Sequence, residues 1–104
     1  MVNFGKSIAE KRKEIGISLK DMASRIRKDD GTTITPQYLN DVERSRRNPP
    51  SEHIILQIAD ILDMSSDYLL FLAGKTPGDI SKEHSPEKIN NAYVAFRRAL
   101  EEDK

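Results

Sequence analysis

Apolar residues recur at helical spacing along most of the chain, and the alternation typical of strands is weak. Phe4, Ile8 and Ile15 share one face of a first predicted helix, and Gly16 is the residue type that favours a helix C-terminus. The second predicted helix follows the i, i+3, i+4, i+7 pattern with Leu19, Met22, Ala23 and Ile26. Successive amphipathic helices of this kind predict an all-α protein.

Capping residues mark where the next helices begin. Thr35 followed by proline is a favourable N-cap and first helical residue, so we predict a third helix from this point. A fourth begins at Ser51 and is apolar over a wide arc, which predicts deep burial. A fifth begins at Ser65 or Ser66 and ends at Gly74. The pattern therefore predicts five helices in a first domain of residues 1–74.

A further helix is predicted after a change in composition. Residues 75–85 contain proline and glycine among mixed charges, which is typical of a linker. Ser85 and Pro86 then predict a helix over residues 86–104, whose apolar residues repeat with a period of about 3.5, the spacing of paired helices. They are Ile89, Tyr93, Phe96 and Leu100. Such an amphipathic stripe docks either on its own domain or on another subunit, and we predict that it forms a dimer.

Charge is unevenly distributed, although the chain has no net charge. Residues 1–50 carry 11 basic and 7 acidic side chains, whereas residues 51–104 carry 6 and 10. A basic first half is the pattern expected of a protein that contacts nucleic acid.

The chain has no cysteine, two histidines far apart, no signal-peptide core and no apolar run long enough to cross a bilayer. We therefore expect no metal, no cofactor, no membrane association and a cytoplasmic location.

The third predicted helix carries side chains suited to base recognition. Once Leu39 and Val42 point into the core, its outer face consists of Gln37, Tyr38, Asn40, Asp41 and Arg44. Gln and Asn pair with adenine through two hydrogen bonds, Arg pairs with guanine in the same way, and Asp accepts from cytosine. This helix is therefore expected to lie in the major groove of DNA, which admits one helix.

Phosphate contacts are expected on either side of this helix. The residues that follow it directly and suit the DNA backbone are Arg46, Arg47 and Asn48. Lys20 and the amides after Ser18 lie at the start of the second helix, and a helix N-terminus favours an anion. Together with Thr35 at the start of the third helix, these residues complete the predicted DNA-binding surface.

Four runs of residues together form a recognisable pattern. They are Gly16-Ile17-Ser18 with Met22, Ala23 and Ile26, then Ile34-Thr35 with Leu39, Val42, Glu43 and Arg44, then Arg46-Arg47-Asn48-Pro49, then residues 58–62 with 67–70. This pattern resembles the Cro and lambda-repressor type of helix-turn-helix proteins over about residues 4–74. The resemblance implies a five-helix lambda-repressor-like domain, DNA binding by the second and third helices, and homodimers on palindromic sites. The family consists mostly of bacterial and phage regulators, with some antitoxins.

Two features depart from the pattern of that family. Its turn between the second and third helices is usually short, whereas residues 28–33 lengthen it here. We predict that the second helix ends near Arg27 or Lys28, and the additional residues either extend this helix or form a loop near the DNA backbone. Leu19 stands where members of the family often carry a glutamine that supports a phosphate contact.

Alternatives remain open for three residues of the third helix. Tyr38 either contacts DNA or covers the start of its helix. Asp41 accepts from cytosine, repels phosphates at non-cognate sites, or pairs with Arg44 three residues on, and we favour the pairing. Glu43 is expected to pair with a nearby basic residue of the motif rather than to act as a catalytic acid.

These observations predict a sequence-specific regulator that binds double-stranded DNA as a dimer and represses transcription at the nucleoid. The sequence contains no catalytic triad, metal set or phosphate loop, so an enzyme is not expected. The alternative is an antitoxin-like protein whose tail binds a toxin partner and which autoregulates its operon. Because the tail is predicted to be a capped helix rather than a disordered segment, we favour the repressor.

Overall fold

The computed structural model describes residues 3–102, and this part of the chain forms helices joined by loops. The helices are α1 (Phe4–Ile15), α2 (Leu19–Ser24), α3 (Pro36–Glu43), α4 (Glu52–Leu62), α5 (Ser66–Leu72), α6 (Gly78–Glu83) and α7 (Pro86–Glu102). The predicted all-α class is confirmed: α1 to α5 are the five predicted helices, and α7 is the predicted C-terminal helix. None of the helices within the described range has the length and apolarity needed to cross a membrane.

The hydrophobic core lies between the inward faces of α1 to α5. α2 packs on α3, α4 packs on α5, and α1 contacts both α3 and α4. The largest completely buried side chains are Ile8, Met22, Ile26, Leu39, Ile55, Ile58, Leu62, Leu69 and Leu70. Burial of one such side chain contributes about 1.5–3 kcal/mol, so this cluster fixes α3 on the remainder of the domain.

Side-chain caps begin α2 and α3 where the sequence predicts them. The hydroxyl oxygens of Ser18 and Thr35 accept hydrogen bonds from the amides of Asp21 and Tyr38, each at 3.0 Å. Each bond satisfies an amide that has no partner within its helix. The starting points of both helices are therefore fixed locally.

A buried ion pair links α1 to the C-terminal end of α3. Arg12 Nε and Nη2 donate to the Glu43 carboxylate at 2.7 and 3.0 Å, and each residue is 8% exposed. Arg12 Nη1 also donates to the carbonyl of Ile17 at 2.8 Å, which ties the α1–α2 turn to the same site. The hydrogen bond with Glu43 raises the pKa of Arg12 above its ordinary value, despite the opposing effect of burial. Glu43 thus pairs with a basic residue, but its partner lies on α1 rather than within the two helices of the motif.

The buried face of α1 differs from the predicted one at its C-terminal end. Phe4, Ile8 and Arg12, spaced four residues apart, point into the core, whereas Ile15 is 44% exposed. At the start of the same face, a β-carbon on Gly5 would lie 2.3 Å from the carbonyl oxygen of Val42. The backbone of α1 therefore contacts the end of α3 directly, and any larger residue in place of glycine would force the two helices apart.

A closed loop follows α2, which ends at Ser24 and not near Arg27 as predicted. Arg27 forms an antiparallel bridge with Thr33. The side chain of Gln57 on α4 donates to the carbonyl of Arg27 and accepts from its amide, both at 2.8 Å. Both contacts bind the backbone of Arg27 outside the helical hydrogen-bond pattern, so α2 stops before this residue. Residues 27–33 therefore form a loop that is hydrogen-bonded to α4, and they do not extend α2.

The segment predicted as a linker, residues 75–85, contains the short helix α6. The Gly78 amide donates to Glu52 Oε1 at 2.9 Å, which attaches the start of α6 to α4. α7 packs on α6 and approaches α5, where the rings of Phe71 and Phe96 lie 6.4 Å apart. None of the residues in α7 is fully buried. The division at residues 74 and 86 stays a prediction, but the segment between them is not devoid of structure.

We expect Arg12→Met to lower the free energy of unfolding by about 3–5 kcal/mol, because it leaves the Glu43 carboxylate buried without a partner. The double variant Arg12→Met/Glu43→Leu should recover most of this loss, since apolar side chains of similar volume then replace both charges. Urea unfolding followed by circular dichroism measures the three proteins.

The matched control is Arg25→Met, because Arg25 pairs with Asp21 at 2.8 Å on the exposed surface. Its loss should cost less than about 1 kcal/mol. Equal destabilisation by Arg12→Met and Arg25→Met would contradict the structural role assigned to the buried pair.

Candidate nucleic-acid interface

α3 has an apolar inner face and a polar outer face, as the sequence predicts. Leu39 and Val42 anchor the inner face and are 1% and 2% exposed. On the outer side, Gln37 and Arg44 are exposed, and Tyr38, Asn40 and Asp41 are half-buried. Four of the five residues predicted to face DNA therefore lie on one helix whose opposite side is held in the core, and the fifth, Arg44, is the C-cap of that helix.

The carboxylate of Asp41 connects this outer face to the chain that follows α3. Its Oδ1 accepts from Gln37 Nε2 at 3.1 Å and lies 3.6 Å from Arg46 Nη1. The amide of Arg46 also donates to the Asp41 carbonyl at 2.8 Å. The favoured pairing of Asp41 with Arg44 is therefore wrong. Arg44 instead donates from Nε to Asn40 Oδ1 at 3.3 Å, one full helical turn earlier.

A turn follows α3 immediately. Ser45 has φ of 61°, in the left-handed region that non-glycine residues seldom adopt. Arg46, Arg47 and Asn48 follow this turn and are exposed. Arg46 lies near Asp41 and Arg47 near Tyr38, so the turn presents both arginines beside the outer face of α3, where the sequence predicts phosphate contacts.

Tyr38 has two different neighbours. Its side chain packs against the edge of the hydrophobic core. The guanidinium carbon of Arg47 lies 5.7 Å from the centre of its ring, within the range of a cation–π contact. Tyr38 therefore covers the start of α3 and also restrains a predicted phosphate-binding arginine, so contact with DNA is not needed to explain its position.

The predicted contacts at the start of α2 lie outside this network. Ser18 and Lys20 are exposed, and within residues 3–102 neither is joined to the polar residues of α3 by a hydrogen bond or ion pair. The oxygens of Ser18 and Thr35 accept amide hydrogens, which leaves each hydroxyl hydrogen available for another acceptor. Their contacts with phosphate stay predictions.

Arg12 is the main positioning residue that the sequence analysis did not identify. The signal was present, because the spacing of Phe4, Ile8 and Arg12 places a charge on an apolar face. Glu43 follows Val42 on the inner side of α3 in the same way. Opposite charges on the buried faces of two helices indicate an ion pair. The pattern within one helix does not reveal it, because the two helices must be compared.

The arrangement of α1 to α5 matches a known family. A family model described as helix-turn-helix matches residues 8–69, which is more than half of the chain. The chain belongs to the Cro/CI-type helix-turn-helix family. This helix-turn-helix protein is accordingly a DNA-binding transcriptional regulator.

A solved structure has a similar fold over nearly the whole length of the helix-turn-helix protein. A chain of the SinR protein/SinI protein complex aligns with 95% of this chain and 98% of its own length, at 20% identity and a TM-score of 0.53. At this identity the likeness concerns the fold alone, and it extends beyond the residues matched by the family model. A comparison with curated proteins found no match.

Proposed function

We propose that this helix-turn-helix protein is a sequence-specific repressor that binds double-stranded DNA as a homodimer, with α3 in the major groove. The observation that carries the proposal is the outer face of α3, on which amide and guanidinium side chains stand opposite a fully buried apolar face. The major groove is about 12 Å wide and accepts a helix in this orientation. A protein that blocks a promoter in this way needs no catalytic group.

Base recognition is assigned to two side chains of α3 and to Arg44, the C-cap of this helix. Gln37 and Asn40 have the amide groups that pair with adenine through two hydrogen bonds, and Arg44 has the guanidinium that pairs with guanine. Arg44 Nε donates to Asn40 Oδ1 at 3.3 Å, so the two side chains lie close enough to contact neighbouring bases.

Phosphate contacts are assigned to the residues around α3. Arg46 and Arg47 lie on the turn after it, and Lys20 lies at the start of α2. The hydroxyls of Ser18 and Thr35 supply neutral donors to the same backbone. The basic excess in residues 1–50 supports this assignment, since phosphate neutralisation provides most of the affinity that is independent of sequence.

We expect Gln37→Ala and Arg44→Ala each to reduce discrimination at particular base pairs, by roughly 1–3 kcal/mol if the contact has two hydrogen bonds. Arg47→Ala should instead weaken cognate and random DNA alike and lower the steepness of the salt dependence by about one unit. Fluorescence anisotropy with a set of base-substituted duplexes at several salt concentrations measures both effects. If Gln37→Ala and Arg44→Ala left every base preference unchanged, α3 would not be the recognition helix.

The homodimer is assigned to α7. Its apolar stripe is solvent-exposed within a single chain: Tyr93 is 51% exposed, Phe96 48% and Leu100 55%, while Ile89 is half-buried. An isolated helix of this length is marginal in water, and the contacts of α7 with α6 and Phe71 leave most of its stripe exposed, so a further packing surface would stabilise it. A second copy of the same helix is the simplest partner, and a two-fold dimer places two recognition helices about 34 Å apart, one turn of DNA.

A different protein is the second candidate partner of α7. The exposed stripe favours it as much as a second copy, and the similar fold noted above was solved in a complex of two differently named proteins. An antitoxin-like protein would bind its toxin partner through such a tail. The oligomeric state of the purified chain distinguishes the two cases.

We expect Phe96→Ser to weaken dimerisation by about 2–3 kcal/mol, roughly a hundredfold in Kd, because the dimer buries two copies of a half-exposed aromatic side chain. Affinity for a palindromic site should fall with it. Val94→Ser is the matched control, because Val94 is 44% exposed on α7 but lies off the stripe. Sedimentation of the two variants and of a chain lacking residues 86–104 measures the effect. If all three dimerised as well as the unaltered protein, α7 would have another partner.

A further inference from the structure

Asp41 is an acidic residue on the surface proposed to bind polyanionic DNA, and its contacts with Gln37 and Arg46 indicate a role for its carboxylate. Resting on the proposed recognition of bases by α3, we infer that Asp41 is a positioning residue that fixes the Gln37 amide in the orientation that selects adenine over guanine. It does so without contacting the base itself. Its carboxylate also restrains Arg46, which lies beyond the end of the helix.

The geometry brings both partners to one oxygen atom. Gln37 Nε2 donates to Asp41 Oδ1 at 3.1 Å, and Arg46 Nη1 lies 3.6 Å from the same atom. The Asp41 side chain is 20% exposed, whereas that of Arg46 is 60% exposed. The carboxylate is therefore shielded between two donors, and the guanidinium offsets part of its charge.

This arrangement determines which end of the Gln37 amide faces outward. An ionised carboxylate only accepts hydrogen bonds, so it holds the NH₂ group and turns Oε1 away. The second hydrogen on Nε2 stays available. Gln37 therefore presents one donor and one acceptor in a fixed order.

That order matches adenine and conflicts with guanine. Adenine offers an acceptor at N7 and a donor at N6, whereas guanine offers acceptors at both N7 and O6. With Oε1 fixed in place, guanine would bring two acceptor oxygens together. A freely rotating amide would lose this distinction, because it can turn its NH₂ group toward O6.

The same carboxylate lowers affinity for DNA in general. A negative charge near the phosphates opposes binding to every sequence equally. Asp41 therefore increases selectivity while reducing general affinity. This combination of opposite effects is testable, because a residue that only supports the fold would change neither.

The experiment compares Asp41→Ala and Asp41→Asn in the full-length protein. The base that Gln37 recognises is first identified from the duplex position at which Gln37→Ala loses its preference. We expect Asp41→Ala to reduce the preference for adenine over guanine there by about tenfold, and to raise affinity for random DNA severalfold. Asp41→Asn should raise affinity for random DNA to a similar extent but keep the adenine preference within about twofold, since its amide oxygen still accepts from both donors.

The charge control is Asp60→Ala, which removes an exposed carboxylate from α4, away from this face. It should leave the adenine preference intact and change affinity for random DNA less than either Asp41 variant. Thermal unfolding confirms that all variants are folded. In the DNA-free protein, NMR should show that the side-chain NH₂ of Gln37 exchanges hydrogen faster in Asp41→Ala than in the unaltered protein, and at an unchanged rate in Asp41→Asn.

Retention of the adenine preference in Asp41→Ala would overturn the inference while leaving recognition by α3 intact. Equal loss in Asp41→Ala and Asp41→Asn would overturn it too, since charge and not orientation would then be responsible. If Gln37→Ala itself changed no base preference, both the inference and the proposed recognition helix would fail. The NMR result separates these cases, because it does not depend on DNA.

Discussion

The ion pair between Arg12 and Glu43 is the contact on which the position of the surface proposed to bind DNA depends. It joins the last turn of α1 to the last residue of α3, at distances of 2.7 and 3.0 Å. The backbone of α1 also contacts the end of α3 at Gly5, where no β-carbon fits. Because both charges are buried, the loss of one partner leaves the other without compensation, and α1 and α3 are therefore fixed together.

The residues assigned to DNA lie close to this contact along the chain. α3 ends at the buried Glu43, and a turn with positive φ at Ser45 follows. After this turn Arg46 lies 3.6 Å from the carboxylate of Asp41, and Arg47 lies over the ring of Tyr38. The buried ion pair therefore holds the end of α3 from which these exposed arginines continue.

Much of the fold could be predicted from the sequence because its determinants are local. Helical spacing and the caps at Ser18 and Thr35 place the starts of α2 and α3 correctly, and the apolar spacing of Leu39 and Val42 identifies the outer face of α3. The differences arise from contacts between distant segments. α2 ends early because Gln57 holds the backbone of Arg27, a contact between residues 30 positions apart. α6 begins where the Gly78 amide meets Glu52, 26 positions away.

The candidate site follows the same division. The residues on each face of α3 were predictable, because they follow from the helical periodicity of apolar positions. The contacts among these residues were not predictable. Asp41 has one partner four residues before it and another five residues after it, and the second contact depends on the turn at Ser45.

Selection of bound sequences from a random DNA pool by the full-length protein tests the central claim, that a rigidly held α3 recognises bases in a two-fold dimer. We expect a palindromic consensus whose half-site centres are separated by about 10–10.5 base pairs or by a multiple of this spacing. A pool with no enriched sequence, or an enriched sequence without two-fold symmetry, would contradict it.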